Sequence, residues 1–219
     1  DNARPQNVFS GRKFSFMEKP SVHKRNAMQG RSLRMAMDIK TAREAIGDIK
    51  PGCEIFGLTK GDFSLISVIE HILNQTGPAH VVVSTWTAAA VDIQKAEKFL
   101  FNKMILSLQF LVDQSFRSRQ PDYCARLVAA FGPAAIRYSR SHCKFVVIYN
   151  DKWNVVVRTS MNLNENRRIE NFEISDDPAF TAFMLELRDE LFAKPENFTE
   201  EDFKGLCEGG PFASLRGWS

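Results

Sequence analysis

From Pro51 to Phe192 the apolar positions switch repeatedly between compact β-branched runs and a period near 3.6, which predicts strands alternating with helices. Cys53 to Leu58 is a short apolar run closed by Thr59-Lys60-Gly61, a first strand. Asp62 can cap a helix from Phe63 to Gln75, whose Leu65, Ile66, Ile69, Ile72 and Leu73 share one face. Gly77-Pro78 stops that helix. His80 to Trp86 (HVVVSTW) then reads as a buried strand, Ala88 to Asn102 as a helix and Leu106 to Val112 as a third strand. Pro121 to Phe131 is a helix with proline near its first turn.

The second half begins with Ala135 to Tyr138, which leads into Lys144 to Tyr149 (KFVVIY). Asn150-Asp151-Lys152 turns the chain into Trp153 to Thr159 (WNVVVRT), so two β-rich runs form a hairpin. Phe172 to Ile174 can add a strand. Pro178 to Phe192 carries Phe180, Phe183, Met184, Leu187 and Leu191 on one helical stripe. Before the core, residues 1–34 lack periodic pattern and are expected to be irregular, while Met35, Ile39, Ala42 and Ile46 predict a helix from Met35 to Ile49. The order βαβαβα followed by a hairpin predicts an α/β fold, a mixed sheet with helices on its faces.

Composition adds limits. The chain has 219 residues, enough for one compact domain with appendages, and its 44% apolar content leaves ample material for a core. No run approaches the roughly 18 unbroken apolar residues of a membrane span, so no stable membrane insertion is expected. No apolar block follows the first basic residues, so no secretory signal is expected. The chain opens on Asp1 rather than Met and reads as a trimmed or processed product. Four cysteines stand at 53, 124, 143 and 207 with no C-x-x-C pair, the usage of reduced thiols in a cytoplasmic protein. Neither a metal nor a cofactor is expected.

Charge divides the chain into three. Residues 1–50 hold eleven Lys or Arg against five Asp or Glu, whereas Phe172 to the end holds four against eleven. Residues 1–50 are expected to form a basic arm, 51–193 the core domain and 194–219 an acidic, Gly-rich tail. Such an arm suits either an anionic polymer or a solvated segment without a partner.

Chemistry enters at the hairpin. His142-Cys143-Lys144 opens its first strand and Ser160-Met161-Asn162 follows its second. Side chains alternate along a strand, so His142 and Lys144 point to one face, and the hairpin returns Ser160 and Asn162 beside them. An imidazole can attack an electrophile or carry a proton near neutral pH. An ammonium, a hydroxyl and an amide are donors that suit phosphate oxygens. Farther on, Asn171-Phe172-Glu173 places Asn171 and Glu173 on one strand face, where Glu173 can hold the imidazole as the carboxylate of a triad does.

The order His-x-Lys, hairpin, Ser-x-Asn, Asn-x-Glu resembles the signature of the phospholipase D superfamily. The resemblance implies a phospholipase D-like fold over about Cys53 to Leu191, with His142 as nucleophile through a phosphohistidine. It further implies that Lys144, Asn162 and Ser160 bind phosphate and that Glu173 supports the histidine. Two positions depart from the family pattern: Thr159 stands where Gly is usual, and Tyr149 where Asp is usual, with Asp151 two positions later. Members of this family often carry two His-x-Lys motifs facing each other. This chain has one, which implies a homodimer sharing a two-fold site.

Around the motif, Arg158, Arg167 and Arg168 are candidates for contacts to successive phosphates, though exposed arginines also serve solvation alone. Trp86, at a strand end, is read first as core packing and otherwise as a stacking surface for a base or sugar. The expected activity is that of a metal-independent nuclease acting on DNA or RNA. The alternatives are a phospholipid hydrolase or transphosphatidylase, and a catalytically inactive DNA-binding or assembly protein with this fold.

Overall fold

The computed structural model describes residues 31–193. The arm residues before 31, with His23, and the tail from 194, with Cys207, lie outside the described residues.

Eight strands form one mixed sheet. They are β1 (Ser32–Ala36), β2 (Glu54–Thr59), β3 (Ala79–Thr85), β4 (Ile105–Asp113), β5 (Ile136–Ser139), β6 (Phe145–Tyr149), β7 (Asn154–Thr159) and β8 (Glu170–Asp176). Their order across the sheet is β1-β2-β8-β7-β6-β3-β4-β5. β3, β4 and β5 run parallel, as do β1 and β2, while β6, β7 and β8 form an antiparallel centre between them. The helices are α1 (Ala42–Ile46), α2 (Leu65–Thr76), α3 (Ala90–Phe101), α4 (Phe116–Arg119), α5 (Pro121–Phe131) and α6 (Pro178–Ala193).

Strand parity sorts the core into two layers. Val146, Ile148, Val155, Val157, Phe172 and Ile174 face the layer that also holds Ile46, Ile66, Ile69, Phe99 and Leu127. Phe145, Val147, Val156, Val82 and Leu111 face the opposite layer, where Met184 of α6 covers them. The central strands are therefore apolar on both sides, which is why KFVVIY and WNVVVRT read as runs rather than alternations. The turn between them is held by Asn150, whose Oδ1 accepts from the backbone N of Lys152 (2.9 Å) and Trp153 (3.0 Å).

The expected helix from Met35 to Ile49 is instead a strand and a single short helix. Ser32–Ala36 pairs in parallel with β2, Leu33 and Met35 stand 72% and 71% exposed, and only Ala42–Ile46 is helical. The ladder along the edge of β2 outweighs a local helical spacing of four apolar residues. Thr41 caps α1, its Oγ1 accepting from Glu44 N at 3.3 Å, and Gly47 ends it at φ 72°. The cap of α2 is Ser64 rather than Asp62, and the short α4 was not anticipated. β8 extends two residues beyond the expected Phe172–Ile174 run at each end, and the earlier start decides the composition of the site.

Candidate active site

The C-terminal ends of β3, β4 and β7 and the starting ends of β6 and β8 meet at one rim of the sheet. His142 and Lys144 immediately precede β6, and Ser160 and Asn162 immediately follow β7. The two sides are stitched together by Thr159 N donating to Lys144 O at 3.2 Å. Lys144 has the parity of Val146 and Ile148, so it stands on the helix-rich face. His142 is exposed; Lys144, Ser160 and Asn162 are half-buried.

Within this rim Lys144 Nζ lies 3.4 Å from both Nδ1 and the backbone O of His142. Ser160 Oγ donates to Glu170 Oε2 and accepts from Asn171 N at 3.0 Å. Asn162 Oδ1 accepts from Trp86 N at 3.2 Å, which leaves its Nδ2 as the donor available to a ligand. The backbone O of Asn162 accepts from Leu65 N (3.4 Å), and Leu163 O from Ala89 N (2.7 Å), so the starts of α2 and α3 pin the segment after β7. Beneath them the buried pair Ser64 and Asp92 is joined by a 2.7 Å hydrogen bond.

The carboxylate at the site is Glu170, not Glu173. Glu170 is 8% exposed and shares parity with Phe172 and Ile174, hence with Lys144. Glu173 lies three residues on, an odd number, and so falls on the opposite face. There its Oε1 pairs with Arg158 (2.6 Å) and Arg31 (3.3 Å). Arg158 is drawn to that same face, 5.3 Å from the Phe180 ring of α6, and does not flank Lys144, Ser160 and Asn162. Asn171 joins the site through its backbone alone: its O accepts from Thr159 Oγ1 (2.5 Å) and Ser160 N (3.3 Å). Arg167 and Arg168 stand exposed on the β7–β8 loop, and among the described contacts none ties them to His142 or Lys144.

Trp86 is not core packing. It is half-buried, with its ring 5.3 Å from the His142 ring, and the Arg119 guanidinium lies 3.5 Å over the indole. Arg119, Glu170 and Asp113 are the members of this rim that sequence reasoning missed. Parity would have found Glu170 had the strand been started at its true first residue. The other two arrive from β4 and α4, far along the chain from the motif.

Thr159, where the family usually has Gly, puts its hydroxyl to use, donating to Asn171 O and accepting from Met161 N at 2.9 Å. Tyr149 lies at the far end of β6, stacked on His80 at 5.2 Å. His71 is likewise remote, bonded to Gly47 O at 2.7 Å, so among the described residues His142 is the one imidazole at this rim. A hollow lined by Thr41, Phe63, Glu70 and His71 lies between α1 and α2, away from His142, and concavity alone does not mark the chemistry.

Burial pulls the Lys144 ammonium below the usual lysine value of 10.5, against the opposing pull of Glu170 and Cys143. Among the described residues no group of three or more His, Cys, Asp or Glu side chains converges as metal ligands would. What converges is an exposed imidazole with an ammonium and an amide, donors suited to a tetrahedral oxyanion, beside a Ser160 hydroxyl that donates to Glu170. Among the described residues, too, no helix is long and apolar enough to cross a membrane.

No protein-family model and no curated protein matches this chain. Among solved structures it is similar to the phospholipase D family member Nuc from Salmonella typhimurium, at 13% identity and a TM-score of 0.44 over 66% of this chain and 96% of that one. NucT from Helicobacter pylori is similar at 14% identity and a TM-score of 0.46, over 63% of this chain and 95% of its own. Polyphosphate kinase from Porphyromonas gingivalis is similar at 13% identity and a TM-score of 0.47, over 65% of this chain but only 26% of the kinase. These are likenesses of fold at low identity; the chemistry of this chain is carried by its own side chains.

Proposed function

We propose that this chain is a phosphodiesterase acting on nucleic acid, with His142 as the nucleophile. The observation that carries the reading is the convergence of His142, Lys144, Ser160 and Asn162 at one rim, with Glu170 bonded to Ser160. A ring nitrogen of His142 attacks phosphorus, the bond from phosphorus to the leaving oxygen breaks, and that oxygen takes a proton. The resulting phosphohistidine is then opened by water, which returns the imidazole and releases a phosphate monoester. Lys144 and Asn162 Nδ2 offset the charge that builds on the non-bridging oxygens, and the Ser160 hydroxyl joins them when it turns its proton from Glu170 to the substrate. Glu170 orients Ser160 and holds a negative charge beside Lys144.

Protonation of the leaving oxygen needs a second acid, and a second copy of the chain, bringing another His142 to the same rim, supplies it. The substrate class follows from the donors, which suit any phosphodiester, together with the basic residues 1–50, which favour a polyanion. The deciding assay incubates labelled single- and double-stranded DNA and RNA with the protein in excess EDTA, beside His142→Ala. Cleavage in chelator that falls by at least about a thousandfold in the variant is expected, the scale on which loss of a nucleophile acts. Full activity in His142→Ala, or strict dependence on a divalent metal, would sink the reading. Release of choline or ethanolamine from vesicles without nucleic-acid cleavage would move the substrate to phospholipids.

A further inference from the structure

The residues that reach the rim from outside the hairpin are joined through one carboxylate. Asp113 ends β4. Its Oδ2 accepts from the backbone N of Ser141 at 3.2 Å, the residue immediately before His142. Its Oδ1 accepts from Ser115 N at 2.9 Å and from Ser115 Oγ. Ser115 Oγ accepts in turn from Arg119 Nε at 3.0 Å, and Arg119 Nη2 donates to Trp86 O at 3.0 Å. The Arg119 guanidinium covers the indole at 3.5 Å, and that indole packs against His142. Two routes therefore run from Asp113 to the nucleophile. One holds its backbone through Ser141, and the other holds its ring through Ser115, Arg119 and Trp86.

His142 needs such holds. It is exposed, and residues 141–144 belong to no helix or strand. Toward β6 the chain is held by Ser84 Oγ donating to Cys143 O at 2.8 Å, and Cys143 N donates back across His142 to Ser141 Oγ at 3.1 Å. On the other side of His142 the nearest hold is Asp113, with Gln114 N donating to Ser139 O at 2.9 Å farther back. A nucleophile free to swing loses most of the advantage of being part of the site. Burial by itself would raise the Asp113 pKa, but the hydrogen bonds from Ser115 and Ser141 and the nearby Arg119 outweigh it and hold the carboxyl below its usual 3.8. The acceptor is thus ionised throughout the neutral range.

We infer that Asp113 is the positioning residue for the nucleophile, fixing the backbone before His142 and, through Ser115 and Arg119, the indole against which the imidazole packs. The inference rests on the phosphodiesterase reading for its consequence in catalysis, and on geometry alone for its structural part. Asp113 touches neither substrate nor reacting atoms; its effect is on where His142 stands.

The test uses the full chain of 219 residues, which holds four histidines and therefore gives few imidazole signals to assign. Histidine-labelled protein is compared by NMR as wild type, Asp113→Asn, Asp113→Ala and Ser115→Ala, with His142→Ala to assign the His142 signals. Cleavage of a single-stranded DNA oligonucleotide in EDTA is measured in parallel. Asp113→Asn keeps the size of the side chain but puts an amide in place of one acceptor oxygen, so it cannot serve both arms. In wild type the Trp86 indole, 5.3 Å away, is expected to displace the His142 ring signals. In both Asp113 variants these are expected to move toward those of a free imidazole, while the His71 and His80 signals stay in place.

The expected kinetic effect is a kcat lower by on the order of 10- to 100-fold with KM little changed. Ser115→Ala, which cuts one arm only, is expected to lose less. Should the alanine variant fail to fold, the asparagine variant carries the test. Unmoved His142 signals in Asp113→Asn overturn the inference whatever the cleavage rates. Moved signals in a protein whose wild type cleaves nothing support it and overturn the phosphodiesterase reading instead.

Discussion

Lys144 carries the charge that would meet a phosphate, and its surroundings set the pH at which it does so. Burial lowers its pKa from 10.5 while Glu170 works in the opposite direction. Catalysis that needs the ammonium is expected to fall as pH rises through the lowered value. Glu170→Gln removes the opposing charge, so it is expected to move this alkaline limb to lower pH, read from kcat/KM against pH for both proteins. An unmoved limb would separate Lys144 from the rate. Folding has the opposite sign: the unfolded chain holds more protons between the lowered value and 10.5, so stability rises with pH across that window. At this scale His142, Lys144, Ser160 and Asn162 were legible, because His-x-Lys and Ser-x-Asn are local patterns on either side of a hairpin. Glu170 was not, because a strand taken to begin at Phe172 leaves it in a loop, and only parity counted from the true start separates it from Glu173.

Among the elements, β2 and β8 meet at a glycine that the fold cannot spare. Gly57 pairs with Phe172, and a Cβ added at Gly57 would stand 2.2 Å from the Phe172 ring. That ring is fully buried and has no room to retreat. Gly57→Ala is expected to destabilise the fold by about 1–3 kcal/mol, the cost of overpacking a filled core. Urea unfolding measures it, and adding Phe172→Leu should recover part of the loss; equal stability of wild type and Gly57→Ala would show that the ring can move after all. The hairpin and helices α2, α3, α5 and α6 were readable from periodicity because each buries a long apolar face. β1 was not. Its Leu33 and Met35 are exposed, so no burial pattern marks it, and the edge of β2 alone makes it a strand.

For the whole molecule, the proposed chemistry ties activity to the assembly state, since His142 is the single imidazole at the rim among the described residues. A homodimer is expected, with a solution mass twice that of the chain by sedimentation equilibrium, and dilution below its dissociation constant should abolish cleavage. A monomer of full activity would mean that another group protonates the leaving oxygen. The sequence by itself determined the mixed α/β layering and the four donors of the motif, since both are written in spacing over a few residues: side-chain parity, helical stripes and a tight turn. Tertiary structure alone decided which carboxylate stands at the rim, why Arg158 lies on the other face, and how Asp113, Arg119 and Trp86 come to be linked beside His142. Those contacts join β3, β4 and α4 to residues tens of positions away, and the pairing of strands that brings them together depends on the whole sheet rather than on any local pattern.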